Sequence, residues 1–187
     1  TNPAIQQVLS IFNKRGQEAY HGEPVSQIEH AMQTAQLAQA SHPEDHEFIL
    51  AAFLHDIGHL VDSDAGEMDG YGRYDHESIG ANTLRRLGFS EKIARLVENH
   101  VYAKRYLVST DPMYFADLSA ASKITLIKQG GLLSAEEQKE FENDPLFELH
   151  IALRRLDEQA KQKNQPMPGQ DWLETMMQAH FSQTQYQ

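Results

Sequence analysis

The sequence predicts an all-α fold, a compact helical bundle. Apolar residues recur at spacings of three and four along most of the 187 residues, Ser, Asp and Pro stand where helix starts need them, and no stretch alternates apolar and polar residues long enough for a strand. Ile5, Val8, Leu9 and Phe12 mark the first helix, and Gly16 is expected to end it with a left-handed cap. Gln17 to Val25 is a loop broken by Gly22 and Pro24. Gln27 to Ala40 is a second helix with Ile28, Ala31, Met32 and Ala35 on its inner stripe and His30 beside it. After a loop at His42-Pro43, the stretch ILAAFLHDIGH, Ile49 to His59, is a buried helix that delivers the adjacent pair His55-Asp56 and then His59.

Residues 61 to 75 carry Gly66, Gly70 and Gly72 with five acidic residues, and read as a long surface loop. Asp75 is expected to cap a helix from His76 to Leu87, in which Gly80 and Ala81 permit close packing. Ser90 caps the next, with Ile93, Leu96, Val97 and His100 on one face and Lys104 one turn further along. Asp111-Pro112 and Asp144-Pro145 read as caps followed by first-turn prolines. Leu118 to Gln129 is helical, with Ser122, Thr125 and Gln129 on one side, and Gly130-Gly131 stop it. Ser134 with Glu137, and Asp171 with Glu174, read as capping boxes. Leu146 to Lys163 is the last long core helix, and 164–170 links it to a short helix around Trp172, Met176 and Phe181. The whole chain, 1–187, reads as one domain with its core at about 8–160 and residues 164–187 as a C-terminal extension.

Composition narrows the functional classes. Cysteine is absent, which excludes thiolate metal sites, disulfide scaffolds and thiol nucleophiles, so any metal is held by nitrogen and oxygen. A net charge of −11 without a basic stripe argues against a nucleic-acid partner, because phosphate-backbone binding needs clustered Lys and Arg. No apolar run is long enough to span a membrane. The expectation is a cytoplasmic protein acting on a small molecule; nothing in the sequence bears on oligomeric state.

Ten histidines then have to be sorted. His42 and His46 fall in a polar loop and a helix start, where exposure is expected. His150 and His180 lie beside Leu and Phe on amphipathic helices and read as satisfied, half-buried imidazoles. His30, His55, His76 and His100 each stand next to the apolar stripe of a different expected helix, with Asp56 and Asp157 in comparable positions on the third and last core helices. A bare His-Asp pair is often just a capped surface dipeptide. A buried pair needs strong partners, and a metal satisfies imidazole and carboxylate together; helical bundles bring such ligands to one point from facing helices.

The order His30, His55-Asp56, His76, His100, Asp157 resembles the dinuclear branch of the HD-domain superfamily. From about Val8 to Ala160 the chain is similar to the mixed-valent di-iron oxygenases that cleave 2-amino-1-hydroxyethylphosphonate, with myo-inositol oxygenase a more distant relative. The matching stretches are Tyr20 to Glu23 (Y-x-G-E), QIEHAMQTA, LHDIGHL, DHESIGA, LRRLGFSEKIARLVENHVYAKRYL, SKITL, QGG and LRRLDEQAK. The resemblance implies that His30, His55, Asp56 and Asp157 hold one iron, that His76 and His100 hold the other, and that Asp56 bridges the Fe(II)/Fe(III) pair. It further implies dioxygen as co-substrate and oxidative carbon–phosphorus cleavage of an organophosphonate, as in phosphonate catabolism. Lys104, Arg154, Ser122, Thr125 and His59 are expected on the phosphonate oxygens, with Lys104 also catalytic, Glu23 on a substrate ammonium, and Tyr20 over an open iron position. The rival is an HD phosphohydrolase, which needs only His30, His55, Asp56 and Asp157 and leaves His76 and His100 without a role.

Overall fold

The computed structural model describes residues 2–62 and 66–184; positions 63–65 of the expected surface loop lie outside them. Among the described residues the chain forms eleven α-helices and one 3-10 turn, with only two isolated bridges, Ala19 to Ser26 and Glu67 to Arg73, in place of strands. The all-α expectation is met. Among the described residues no helix is long and apolar enough to cross a membrane.

Helix α1, Pro3–Arg15, starts where the Asn2 side chain accepts from the Ala4 amide at 2.8 Å, and it buries Ile5, Val8 and Phe12. Gly16 ends it in a right-handed conformation, φ −63°, which corrects the expected left-handed cap. Its lack of a side chain serves proximity instead, since a Cβ there would lie 2.4 Å from the Phe12 carbonyl oxygen and 3.1 Å from Ile28 Cβ. Helix α2, Gln27–Ser41, opens with a full capping box from Ser26 and Glu29.

Helix α3, His46–Leu54, is the spine of the molecule. Asp45 caps it, and Phe48 to Leu54 are all buried, against α2 and the later helices Glu91–Glu98, Phe147–Gln159 and Gln170–Thr184. Each large apolar side chain removed from water there contributes about 1.5–3 kcal/mol. The helix ends one residue before His55, and Ile57–His59 then form the 3-10 turn.

Helix α4, His76–Leu87, follows. Asp75 occupies its N-cap position with left-handed backbone, φ 57°, but its side chain caps nothing, contrary to expectation. Close packing is as expected: a Cβ on Gly58 would lie 1.9 Å from the His76 carbonyl oxygen, and one on Gly80 would lie 3.2 Å from the Gly58 amide nitrogen. The expected single helix through His100 and Lys104 is two, α5, Glu91–Glu98, and α6, His100–Thr110, broken at Asn99. The break has a local cause. The His100 ring and the Asn99 amide both bond to the Val97 carbonyl, the ring at 2.6 Å, and Asn99 Nδ2 takes the Arg95 carbonyl at 2.9 Å.

Helices α7, Pro112–Asp117, and α8, Ala120–Lys128, are capped by Asp111 and Ser119, and α9, Ala135–Glu142, has the expected capping box of Ser134 and Glu137. Helix α10 runs over Phe147–Gln159, shorter at both ends than expected. Asp144 Oδ1 accepts from the Leu146 amide at 2.8 Å in a turn ahead of it, so Pro145 precedes the helix. At its other end the Ala160 carbonyl is taken by the ring of His30 at 2.8 Å. The last helix, α11, Gln170–Thr184, has Asp171 inside its first turn, so the second expected capping box does not exist. It is not short, and Leu173, Met177 and Phe181 join the main core.

Candidate metal centre

Five elements deliver the predicted ligands to one buried point. α2 supplies His30, the end of α3 supplies His55 and Asp56, α4 starts with His76, α6 starts with His100, and α10 supplies Asp157; all six are less than a tenth exposed. Asp56 lies at the middle. Its Oδ2 is 3.1 Å from His55 Nε2 and 3.4 Å from His30 Nε2, while its Oδ1 is 3.1 Å from His76 Nε2 and 3.3 Å from His100 Nε2. Asp157 Oδ1 completes the first group, 2.8 Å from His30 Nε2 and 3.3 Å from His55 Nε2. Two sets of side chains that could each hold a metal ion result, His30, His55, Asp56 and Asp157, and Asp56, His76 and His100.

The outer ring atoms fix which nitrogens face inward. His30 Nδ1 donates to the Ala160 carbonyl at 2.8 Å, His55 Nδ1 to Ala52 at 2.6 Å and His100 Nδ1 to Val97 at 2.6 Å. A proton on Nδ1 leaves a lone pair on Nε2, the form that ligates metals. These lone pairs converge: His30 Nε2 lies 3.1 Å from His55 Nε2, and His76 Nε2 lies 3.0 Å from His100 Nε2. Asp56 Oδ2 is buried with no hydrogen-bond donor, an arrangement that is costly unless a cation sits among these atoms. Burial alone would push the Asp56 carboxyl up, yet positive charge on His55 and contacts from His100 and His30 hold it well below the carboxylate range, a role that passes to a metal ion when the rings carry only their Nδ1 protons. Asp157 behaves in the same way, with Arg154 and His55 overcoming burial. The donor set therefore fits two metal ions with nitrogen and oxygen ligands.

A small polar cavity of about 60 Å³ opens onto this cluster and is lined by Tyr20, Glu23, His59, Lys104, Ser122, Thr125, Arg154 and Lys161 among others. Lys104 is buried and donates to Thr125 Oγ1 at 2.8 Å and Gln129 Oε1 at 2.9 Å. Burial and the nearby Arg154 lower its pKa to about 7. The Ser122 hydroxyl is buried without a partner and also faces the cavity. His59 stacks on His76 with ring centroids 3.9 Å apart, and its Nδ1 accepts from the Arg73 amide at 3.2 Å, which puts its proton on Nε2. Burial and His76 hold its pKa well below the usual value, so it is a neutral donor. Tyr20 lies flat on His30, centroids 3.9 Å apart.

Two expected substrate contacts are already partnered. Arg154 lines the cavity, but Nη1 bonds Asp157 Oδ2 at 3.0 Å, Nε bonds Glu158 Oε1 at 3.0 Å, and the Tyr114 hydroxyl is 3.2 Å from Nε. Glu23 lies 3.2 Å from Lys161 Nζ. Lys161, Glu158 and Arg73 were not singled out from the sequence. Lys161 falls within the expected helix 146–163 but beyond its apolar stripe, and Arg73 in the glycine-rich loop, so neither carries a spacing signal. His150 and His180 prove fully buried, not half-buried: His150 Nε2 is 3.3 Å from Asp144 Oδ2, and His180 Nε2 accepts from the Ser90 amide at 3.3 Å.

A helical domain that gathers His, His-Asp and a distant Asp in this order around two adjacent cation sites is a metal-dependent enzyme scaffold of the HD type. The chain belongs to the HD-domain family, whose pattern matches residues 28–151, and within it to the group that includes hydroxyphosphonate dioxygenases. It is 44% identical over 168 residues to [1-hydroxy-2-(trimethylamino)ethyl]phosphonate dioxygenase (glycine-betaine-forming) of Leisingera caerulea, covering 88% of this chain and 83% of that one. It is 38% identical over 166 residues to hydroxymethylphosphonate dioxygenase of Gimesia maris, covering 88% and 81%. A mimivirus protein without assigned function is 38% identical over 182 residues, covering 96% and 83%.

Proposed function

We propose that this chain is a di-iron oxygenase that cleaves the carbon–phosphorus bond of a 1-hydroxyphosphonate with dioxygen, (1R)-2-amino-1-hydroxyethylphosphonate giving glycine and phosphate. The observation that carries this reading is the division of Asp56 between two histidine pairs, which a one-metal hydrolase has no use for. Substrate and dioxygen together supply every atom and electron of the two products, so no external reductant is needed. When bound, a mixed-valent iron pair would supply the chelation of substrate and the activation of dioxygen.

The chain's own residues bind and orient. Lys104, the Ser122 hydroxyl and His59 Nε2–H present donors to one end of the cavity, suited to phosphonate oxygens, while Thr125 accepts from Lys104, gives its own proton to the Ala121 carbonyl and so holds the ammonium in place. The Lys104 charge and a bound metal would offset the strongly acidic protein around them. Glu23 offers a carboxylate to a substrate ammonium. Tyr20 spends one ring face on His30, which leaves less aromatic surface for a trimethylated ammonium and favours a primary amine that hydrogen-bonds to Glu23. The second reading is a trimethylated or nitrogen-free hydroxyphosphonate, the substrates in the names of the two bacterial relatives.

The test is anaerobic loading with Fe(II), followed by oxygen and each candidate 1-hydroxyphosphonate, with phosphate and carboxylic acid measured. About two irons per chain with a mixed-valent magnetic signal and oxygen-dependent phosphate release are expected. One non-redox metal, with oxygen-independent release of phosphate from a phosphomonoester, would overturn the proposal in favour of the phosphohydrolase.

A further inference from the structure

We propose that Lys161 is a resident cation of the amine end of the cavity and thereby a specificity-determining residue: it neutralises Glu23 until a substrate ammonium takes its place. This rests on the reading of Glu23 given above. Glu23 and Lys161 both line the cavity, their side chains only 9% and 14% exposed, with Nζ 3.2 Å from Oε1. A carboxylate that buried is costly without a partner. Lys161 is shared, because its Nζ also lies 3.4 Å from Glu158 Oε2. Glu158 is in turn fixed by Arg154 and Tyr114, so it stays where it is when Lys161 lets go of Glu23. Lys161 can therefore surrender Glu23 to an incoming ammonium and still keep a carboxylate. It lies beyond the end of α10, with its amide bonded to the Gln159 carbonyl at 3.0 Å and Gln162 pinned to Gln33, so the exchange is a movement of the side chain alone.

Two kinds of substrate then meet two different sites. A phosphonate with an ammonium displaces Lys161 and must compete with it for Glu23. One without nitrogen leaves the pair in place and meets a neutral wall instead of a bare carboxylate that would repel its anion. Lys161 thus penalises the amine and protects the nitrogen-free compound.

The experiment compares 2-amino-1-hydroxyethylphosphonate with hydroxymethylphosphonate in the iron-loaded parent, Lys161→Met and Lys161→Gln proteins, with iron content and thermal midpoint as controls for folding. Removing the competing cation is expected to raise the kcat/KM ratio of amine to nitrogen-free substrate by about tenfold, through KM, with kcat for the amine retained. A residue that only supports the fold would lower both substrates together, and an unchanged or falling ratio in both variants overturns the proposal. Calorimetric binding of 2-aminoethylphosphonate and ethylphosphonate to the same proteins keeps the two ideas apart. If the parent turns over neither hydroxyphosphonate, the oxygenase reading fails, while a growing preference for the amine ligand in the variants still supports Lys161. An unchanged preference, or binding of neither ligand, sinks it.

Discussion

His100 repeats the placement of His55: each stands just past the end of a helix, α5 and α3, and donates Nδ1 at 2.6 Å to the carbonyl three residues earlier, Val97 and Ala52. A helix end leaves its last carbonyls without amide partners. Each histidine fills one of these and in doing so turns Nε2 inward to Asp56. The rigidity of the centre thus comes from helix termini, and the two ligand groups are built by the same device.

The first expectation concerns metal content. Replacing His76 or His100 by alanine should remove about one metal ion per loaded chain and abolish oxygen-dependent phosphate release, because among the described residues the second group consists of Asp56, His76 and His100. Asp56→Asn should weaken both sites. Elemental analysis after desalting, alongside activity, reads this directly. A His100→Ala protein with undiminished metal and turnover would refute the two-site reading.

The spacing of apolar residues made these ligands legible as members of buried helix faces, and the fold class with them. Ser90, Asp111 and Ser134 cap helices as their residue types suggest, but other termini carry no such mark. Asn99 looks like any helical residue, so the break that starts α6 at His100 depends on side-chain bonds to Arg95 and Val97 carbonyls that only the folded chain displays. The shortening of α10 has the same origin, a carbonyl at Ala160 given to a ring 130 residues away. Arg154 was visible as a cation one turn from Asp157, but a turn of helix cannot tell a cation facing a ligand from one facing substrate.

A second expectation follows from Gly58. Its missing side chain lets the 3-10 turn meet the first residue of α4, so Gly58→Ala forces the two backbones apart. The overpacking should cost about 1–3 kcal/mol and move His76 away from Asp56. Thermal unfolding should show the loss, and the metal count should fall at the second group while the first remains. An unchanged midpoint and full metal content would contradict this geometry.

A third expectation is a pH dependence carried by Lys104. Burial and Arg154 lower its pKa from 10.5 to about 7. The unfolded chain therefore binds the proton more tightly than the folded one, so this residue costs stability below about pH 7, and the cost is relieved as pH rises toward 10.5. Anion binding has the opposite sign, because it needs the ammonium. Affinity for the phosphonate should fall as pH rises above about 7, and Lys104→Arg should flatten that fall because guanidinium keeps its charge. Binding measured calorimetrically across this range checks it; identical profiles for both proteins would remove Lys104 from the anion site.

Arg154 is the sharpest case, because its two possible roles fail differently. A residue held only for substrate could be truncated with loss of affinity, about 1.5–3 kcal/mol for a charge-assisted contact, and intact metal. Here Nη1 is 3.0 Å from Asp157 Oδ2, leaving Oδ1 to His30 and His55, while Glu158 holds the rest of the guanidinium. Losing this cation strips the buried Asp157 Oδ2 of its partner and leaves Glu158 with Lys161 and Tyr114 alone, and breaking a buried pair costs about 3–5 kcal/mol. Arg154→Ala should therefore lower the thermal midpoint and the metal content of the first group together, with the effect on activity appearing in kcat as much as in KM. Arg154→Gln keeps hydrogen-bonding capacity without charge and should fall between. If Arg154→Ala retains its metal and its midpoint and loses only substrate affinity, the guanidinium turns to the substrate in the working enzyme and the Asp157 contact is dispensable.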